Sequence, residues 1–429
     1  MLVYFTVENF RSFKNPVTLS MNATNIKELK ESVVKKGRYR LLPVAVIYGA
    51  NSSGKSNVIK AMALMRNLVM SSSKLNPDEN LKYDPFYLDQ ESKQKPTTFE
   101  IQFLCNETKY RYGFSYDASH IISEYLFALP FGKRAERNLF LRAEDEYKIS
   151  KNYFSEGINL ESKTLKNRLF LTIVAQFNGT ISKKVMQWFL HFNAINGIES
   201  EGYEGFTLSM FHQHLQGYEQ AKKFFAETQL GFNNIILKKK DVSKDFLDAM
   251  KQIPDDVRKR VLEDADNGKI IEPFTTHNIY DDKGDIVGEK AFPESEMESE
   301  GTRKVIQISG PVFDTLIRGA VLMVDELDAK LHPLLTRHIV RLFMDPEINV
   351  HGAQLIFNTH DTNLLHREYF RRDQIWFTEK DRCDSTDLYS LVEFHDEKGN
   401  KIRNDSSFEK DYINGRYGAI PFIGGLSDE

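Results

Sequence analysis

Cysteine and tryptophan are scarce in this chain, which contains two of each among its 429 residues. Cys105 and Cys383 lie far apart and lack metal-ligand spacing, so the sequence argues against both a zinc site and a disulfide framework. We expect both to be packing residues. Sparse, unpatterned cysteine is typical of proteins in a reducing compartment, and we therefore predict a cytoplasmic protein.

Long apolar segments and an excess of basic charge are lacking too. No run of about 18 apolar residues occurs, which argues against a membrane span. Residues 1–8 alternate like a strand and lack the basic start and apolar core of a signal peptide. The chain has 57 lysines and arginines against 61 aspartates and glutamates, a net charge of −4. This balance argues against a surface that is basic overall, although it leaves room for local basic patches.

The strongest motif is a glycine-rich turn, G-A-N-S-S-G-K-S, over residues 49–56. It has the G-x-x-x-x-G-K-S form of a P-loop, in which backbone N–H groups at a helix start hold phosphate. The apolar run 44–48 predicts a buried strand before it, and apolar residues at helical spacing predict a helix after it. Lys55 would reach the β- and γ-phosphates of ATP, and the Ser56 hydroxyl would hold Mg²⁺. The nucleotide-binding residues predicted here are Gly49, Asn51, Ser52, Ser53, Gly54, Lys55, Ser56 and Asn57.

A second apolar run, residues 320–324, ends in two carboxylates and predicts a central strand of a parallel sheet. Ligands bind at the carboxyl ends of such strands. We therefore expect Asp325 to bind Mg²⁺, usually through water, and Glu326 to polarise the attacking water.

Residues 354–361 again form an apolar run that ends in polar residues. His360 at that strand end would contact the γ-phosphate or the attacking water, with a purely structural histidine as the alternative.

Other patterns predict secondary structure around these motifs. Alternation predicts a hairpin of strands 97–105 and 109–116. From about residue 167 to 265 the spacing is mainly helical, whereas residues 281–301 are acidic and glycine-rich and predict a loop. A helix start follows Ser299, a suitable N-cap, and its exposed N–H groups would form a second anion site. Gly310 and Pro311 should break or kink that helix. Several helical faces are predicted in the middle of the chain, one from Val185, Trp188, Phe189 and Phe192, and others from Phe246, Met250 and Ile253 and from Val257, Val261 and Leu262.

Together these motifs resemble the ABC-type ATPase heads of the RecF, SMC and OLD families. Residues 7–13, V-E-N-F-R-S-F, are similar to the N-terminal opening of that group, and residues 49–56 and 322–326 match its Walker A and Walker B motifs. Asp328 lies in a segment that looks like the D-loop. Residues 359–361 resemble the switch-histidine segment. The resemblance therefore implies that Asp328 also contacts nucleotide.

Two further segments carry the resemblance. Residues 298–302, E-S-E-G-T, resemble the E-S-x-G-T signature of OLD-like and Rlo-type ATPases, and residues 412–421 look like the tail of this subgroup. Gln90 is the candidate Q-loop glutamine, with a plain loop glutamine as the alternative. The signature adds three residues to the expected nucleotide contacts, Ser299, Gly301 and Thr302.

The resemblance implies an α/β fold, an ABC-type P-loop NTPase head with a β-rich N-terminal elaboration and a compact helical insert. The expected parts are the N-terminal half of the head over 1–175, a mainly helical insert over 176–289 and the C-terminal half over 290–429. It also implies a head-to-head dimer or higher homo-oligomer, with ATP sandwiched between the P-loop of one copy and the signature of the other.

The architecture resembles that of the ATPase subunits of Rlo-type and PARIS-type phage-defence systems. This suggests an ATP-hydrolysing sensor or scaffold that controls a separate effector, such as a TOPRIM-type nuclease, because the segment after His360 is too short for an attached one. One alternative is a RecF-like protein that binds DNA through the basic loop 35–40 and residues 238–240, although the latter also fit a solvated edge. Another is a P-loop module that only holds nucleotide.

Overall fold

The computed structural model describes residues 1–199, 203–241, 269–395 and 407–420. Its strands are β1 (Leu2–Glu8), β2 (Val17–Ser20), β3 (Val34–Lys36), β4 (Tyr39–Leu41), β5 (Val44–Gly49), β6 (Thr97–Cys105), β7 (Thr108–Tyr116), β8 (Ile121–Pro130), β9 (Arg137–Ala143), β10 (Glu146–Ile149), β11 (Phe192–Asn196), β12 (Asn234–Asp241), β13 (Lys269–Tyr280), β14 (Ile286–Pro293), β15 (Val321–Asp325), β16 (Gln354–Asn358), β17 (Ile375–Lys380) and β18 (Thr386–Ser390).

The α-helices of the same residues are α1 (Lys55–Ser71), α2 (Phe170–Gln176), α3 (Thr180–Leu190), α4 (Glu204–His212), α5 (Tyr218–Thr228), α6 (Glu294–Met297), α7 (Glu300–Arg318), α8 (Pro333–Met344) and α9 (Phe408–Ile413). Within the described part of the chain, no helix is both long enough and apolar enough to cross a membrane. The predicted α/β class is confirmed.

The chain divides into two units. The first comprises Met1–Ile198, Thr315–Ala329 and Thr336–Glu429, and the second comprises Glu199–Asp314 and Lys330–Leu335. The P-loop, Glu326 and His360 all belong to the first unit, whereas residues 298–302 belong to the second.

A six-stranded sheet in the order β11-β15-β16-β5-β17-β18 forms the centre of the first unit. Its strands are parallel except for β18, which pairs antiparallel with β17. Strands β5 and β16 are buried throughout, which explains why their sequences are continuous apolar runs rather than alternating ones. The three strands predicted around the motifs are thus confirmed, and β16 lies between the other two.

The second sheet of this unit is antiparallel and has seven strands in the order β10-β9-β8-β7-β6-β1-β2. The predicted hairpin is confirmed as β6 and β7. Asn106 and Glu107 form its two-residue turn, with φ of 45° and 57°. Positive φ at both central positions matches the right-handed twist of the strands.

Helix α1 contributes to one hydrophobic core shared with residues of both sheets. The helical face predicted after the P-loop is buried, with Val58, Ala61, Met62, Met65 and Val69 at most 1% exposed. Burying side chains of this size stabilises the fold by about 1.5–3 kcal/mol each for the larger ones.

Phe192 corrects one expectation, because it begins strand β11 instead of continuing helix α3. Its ring still stacks on Trp188, with centroids 5.1 Å apart, and Trp188 in turn stacks on Phe103 at 4.0 Å. The residue therefore shares the aromatic cluster of the helix without belonging to the helix. Spacing alone could not separate the two cases.

In the second unit, β12, β13 and β14 form an antiparallel sheet that the sequence analysis did not predict. The loop predicted over 281–301 is wrong at β14 and α6. Strand β14 forms because it pairs with β13 over seven residues, a tertiary contact that overrides its weak intrinsic preference. The predicted helical faces from Phe246 to Leu262 lie outside the described residues.

Helix α7 runs through Pro311 without a break, which corrects the expected interruption. Proline lacks the N–H that would bond the carbonyl four residues earlier, here that of Gln307. The Thr207 hydroxyl donates to this carbonyl oxygen at 2.5 Å instead. A side chain at Gly310 would overlap the Thr207 hydroxyl, so glycine at that position permits the close approach.

We predict that Thr207→Val lowers the free energy of unfolding by about 1–2 kcal/mol, because it leaves the Gln307 carbonyl without a donor. In a Pro311→Ala background the restored N–H should remove most of that loss. Urea unfolding of the four proteins of this double-mutant cycle measures the coupling. Thr207→Ser, which keeps the hydroxyl, is the control, and additive effects of the two substitutions would contradict the account.

Candidate functional site

The P-loop connects β5 to α1, and its glycines are required by crowding. Gly54 has φ +106°, and a Cβ there would lie 2.5 Å from Oγ1 of Thr386. The Ser53 hydroxyl bonds the Thr378 hydroxyl at 2.7 Å, and Thr386 Oγ1 donates to the Ser53 carbonyl at 2.9 Å. Strands β17 and β18 therefore stabilise the conformation of the loop through these two threonines.

Lys55 lies inside the loop with only 6% of its surface exposed. Its ammonium donates to the backbone carbonyls of Gly49 and Ala50 at 2.8 and 2.9 Å. Burial lowers the pKa of Lys55 to about 8, although the nearby carboxylates of Glu326 and Asp325 oppose the shift. A buried cation so placed is prepared to exchange two neutral acceptors for an anion.

The N-terminal motif of residues 9–12 forms hydrogen bonds with segments around the P-loop and with helix α1. Asn9 donates to the carbonyls of Ser92 and Lys95 at 2.9 and 2.6 Å, and Arg11 Nε bonds Asp84 at 2.7 Å. The Ser12 hydroxyl accepts from the Asn57 side chain at 2.8 Å, which joins the motif to helix α1. The sequence analysis recognised this motif but assigned its residues no role at the site.

The carboxyl ends of β15 and β16 meet beside the P-loop. The Asn358 amide donates to Oδ1 of Asp325 at 2.5 Å, and its carbonyl oxygen accepts from the Glu326 N–H at 2.6 Å. The backbone N–H of His360 donates to Oδ2 of Asp328 at 3.3 Å. Asn358 was not among the predicted site residues, although a polar residue at the end of an apolar strand was an available indication.

Burial is the largest cause that lowers the pKa of His360 below its usual value, and the Lys55 charge lowers it further. Asp328 and Glu326 act in the opposite direction. These shifts favour the neutral imidazole, in which one ring nitrogen donates a hydrogen bond and the other accepts one.

One cavity of about 400 Å³ brings most of the predicted residues together. Ser12 and Lys380 also line it. Both were absent from the predicted set, and nothing in the local sequence marks Lys380 at the end of β17. Gln90, the Q-loop candidate, is exposed in a turn and is not among the described residues that line the cavity. The predicted residues of the lining are Asn51, Ser52, Ser53, Gly54, Lys55, Ser56, Asn57, Glu326 and His360.

The remaining predicted residues surround this cavity or belong to the second unit. Gly49 ends β5 at the base of the loop, and Asp325 ends β15. Among the described residues, Oδ1 of Asp328 is buried without a hydrogen-bond partner. In the second unit, Ser299 caps helix α7, and its hydroxyl accepts from the Thr302 N–H at 3.1 Å. A Cβ on Gly301 would lie 2.9 Å from the Lys330 carbonyl oxygen, so the helix start is tightly packed.

The residues of the cavity, together with Asp325 at the end of β15, fit a nucleoside triphosphate with Mg²⁺. The buried ammonium of Lys55 and the glycine cradle suit phosphate. The Ser56 hydroxyl and the Asp325 carboxylate are the oxygen donors that Mg²⁺ prefers, and Mg²⁺ commonly takes only one or two protein ligands beside substrate phosphates. In the described residues no group of three or more His, Cys, Asp or Glu side chains is placed to hold a metal by itself.

Comparison with known families identifies the chain. Residues 44–366 match a family described as "AAA domain, putative AbiEii toxin, Type IV TA system". The chain belongs to this AAA domain family. The matched residues of the AAA domain begin at β5 and include Lys55, Glu326 and His360. Among curated proteins, no match to the chain was found.

Solved structures similar to this AAA domain protein include heads of SMC proteins. The SMC head domain from Thermotoga maritima gives a TM-score of 0.40 at 12% identity and covers 91% of this chain and 98% of that one. An SMC head bound to the C-terminal winged-helix domain of ScpA gives 0.40 at 14% identity, covering 91% and 97%.

We predict that nucleotide affinity of the AAA domain falls above pH 8, because Lys55 must then take up a proton to face the phosphates. Calorimetry at pH 9 in two buffers of different ionisation enthalpy should show uptake of close to one proton per ATP bound, against much less at pH 7. Lys60→Ala, on an exposed position of the same helix, should leave the uptake unchanged. Equal proton uptake at pH 7 and pH 9 would contradict the assignment.

Proposed function

We propose that this AAA domain protein binds ATP with Mg²⁺, hydrolyses it and uses the cycle as a conformational switch. The observation that carries the proposal is the single cavity lined by Lys55, Glu326 and His360. A phosphate cradle alone would fit a module that only holds nucleotide. A carboxylate and a neutral imidazole facing the same space supply what hydrolysis requires in addition.

Each residue has a proposed role in phosphoryl transfer. Lys55 binds the β- and γ-phosphates, and Ser56 and Asp325 hold Mg²⁺, which when bound neutralises developing phosphate charge. Glu326 orients the attacking water and accepts its proton, a contribution typically worth about 10²–10⁴ in rate. His360 contacts the γ-phosphate or that water. Positioning and charge neutralisation supply most of such catalysis.

We further propose that two copies of the chain close around ATP. Four residues of one copy would contact the nucleotide bound by the second copy. They are Ser299 and Thr302 through their hydroxyls, Gly301 through its backbone, and Asp328. The proposal is supported by the capped N-terminus of α7, since a helix start with partly exposed hydroxyls attracts phosphate. The γ-phosphate then favours the closed state, and hydrolysis releases it.

The switch would control a separate effector, as the ATPase subunits of Rlo-type and PARIS-type phage-defence systems are thought to do. The type IV toxin–antitoxin description of the family supports a partner protein of this kind. A TOPRIM-type nuclease encoded nearby is the proposed effector. We infer a role in antiviral defence on this basis.

Glu326→Gln should still bind ATP, because Lys55 is intact. It should accumulate the closed assembly, because the amide cannot accept the proton of the attacking water. Turnover should fall at least about 10²-fold. Lys55→Ala should lose ATP binding altogether, and Glu146→Gln, an exposed position on β10, should behave like the wild type. Native mass spectrometry with Mg²⁺-ATP and the neighbouring gene product co-expressed measures retention and assembly together.

An ATP-dependent multimer that carries the neighbouring protein would support the sensor–effector proposal. Wild-type turnover by Glu326→Gln would overturn the catalytic role of Glu326. An ATP-dependent dimer that does not bind the neighbouring gene product but retains nucleic acid would favour the second candidate function, a RecF-like protein that binds DNA.

A basic face on the first unit favours this second candidate. One cavity of about 720 Å³ is lined by Lys35, Lys36, Lys184 and Arg318, with Glu107 as its one carboxylate. Such a local excess of positive charge is unexpected in a chain of net charge −4. A polyanion is the ligand that suits it.

A second basic cavity of about 810 Å³ lies on the same unit. Arg38, next to Gly37 of the first cavity, bonds the Lys133 carbonyl of the second at 3.4 Å. Arg137 lies 4.7 Å from the ring centroid of the half-exposed Tyr153, a face on which a base could stack. The second cavity is lined by four cations, Lys133, Arg134, Arg137 and Lys148, and its Glu136 is paired with Lys109 and Arg111.

For this second function, Lys36→Ala and Lys133→Ala should each weaken DNA binding and reduce the slope of log affinity against log salt by about one. Removing a phosphate contact removes one released counterion, which is the reason for the change. Fluorescence anisotropy between 50 and 200 mM salt, about the range in which such losses are large, measures it. Lys223→Ala, an exposed lysine of the second unit, is the control. Affinity that does not change with salt would exclude this function.

A further inference from the structure

Glu326 adopts a backbone conformation that its residue type disfavours. Its φ is +59°, in the left-handed region, where a side chain crowds the following carbonyl oxygen. Such conformations persist only where the surrounding structure enforces them, and they cluster at functional sites. The neighbouring strand ends show what enforces this one.

On one side, Asn358 makes three hydrogen bonds to three successive residues. Its side-chain amide donates to Asp325 Oδ1, its side-chain oxygen accepts from the Glu326 N–H, and its backbone carbonyl accepts from the Leu327 N–H at 3.2 Å. Asn358 itself is fully buried, whereas its partners Asp325 and Glu326 are partly exposed at the edge of the site. The side chain thus fixes one carboxylate oxygen of Asp325 and leaves the other for a ligand.

On the other side, Gly197 follows strand β11 and packs against the same turn. Its N–H donates to the Asp325 carbonyl at 2.6 Å. A Cβ at this position would overlap the Glu326 carbonyl group, so any other residue would displace that peptide. Because β15 lies between β11 and β16, its end is held from both neighbouring strands.

We propose that Asn358 and Gly197 form a clamp that orients Asp325 and Glu326, with Asn358 as a positioning residue for the metal and the attacking water. The proposal rests on the proposed ATPase function. It differs from a purely structural role because it assigns a direction to the Asp325 carboxylate. Outer hydrogen-bond partners of metal ligands typically change metal affinity about 10–100-fold when removed.

Asn358→Asp tests the clamp, because it keeps an acceptor for the Glu326 N–H and replaces the donor to Asp325 with a like charge. Mn²⁺ affinity in the presence of ADP, measured by electron paramagnetic resonance, should weaken about tenfold or more. Nucleotide affinity without metal should change less than about twofold, since Lys55 and the P-loop are untouched. Turnover should fall with the metal affinity.

The exchanged pair Asp325→Asn with Asn358→Asp separates positioning from folding. It can re-form both side-chain hydrogen bonds, so the melting temperature should recover, whereas metal affinity and turnover should not, because the carboxylate is in the wrong place. Recovery of turnover in the exchanged pair would overturn the proposal, and so would unchanged Mn²⁺ affinity in Asn358→Asp.

Gly197→Ala provides a second variant from the other strand. It should lower turnover while nucleotide affinity without metal persists, and Gly205→Ala, where a Cβ meets open space, is its control. Wild-type protein that binds Mn²⁺ with ADP but does not hydrolyse ATP would contradict the proposed function while leaving the metal readout of the clamp intact. Unchanged turnover in Gly197→Ala would remove Gly197 from the clamp.

Discussion

The order of three parallel strands is the constraint on which the rest of the site depends. Because β16 lies between β15 and β5, their carboxyl ends place an acid pair, a histidine and the P-loop along one edge of the sheet. The register is exact to the residue, with Val324 opposite Phe357 and Asn358 opposite Ile47. A one-residue slip of either strand would turn each of its side chains to the opposite face of the sheet and displace the acids from the loop.

Electrostatics at this edge follows from the same arrangement. Three carboxylates, Asp325, Glu326 and Asp328, lie near the buried Lys55 and favour its charged form, whereas burial disfavours it. Burial has the larger effect on the pKa, so keeping Lys55 charged costs desolvation free energy. A phosphate bound by the loop would offset that cost by pairing with the ammonium, which favours anion binding without any change in the fold.

The sequence was sufficient for the parts of this structure that depend on local pattern. The P-loop, its flanking strand and helix, the β6–β7 hairpin and the two later strands each have a period or a turn that a short window contains. Asn358 and Gly197 could not be assigned in this way, since their role comes from strands that are distant in sequence. Lys380 reaches the cavity for the same reason. Their function exists only once the strand order is known.

The second unit also contains structure that depends on strands distant in sequence, and its sheet contacts the start of α7. Its three-stranded sheet was missed because its strands form by pairing with one another across the chain, and yet that sheet holds the start of α7. His277 of β13 bonds Glu298 at 2.9 Å. Arg303 of α7 bonds the buried Glu294 at 2.9 Å. These two pairs lie on either side of Ser299. Displacing this helix start would therefore break one contact with β13 and one with α6, and a ligand that moves either element would act on the helix start in return.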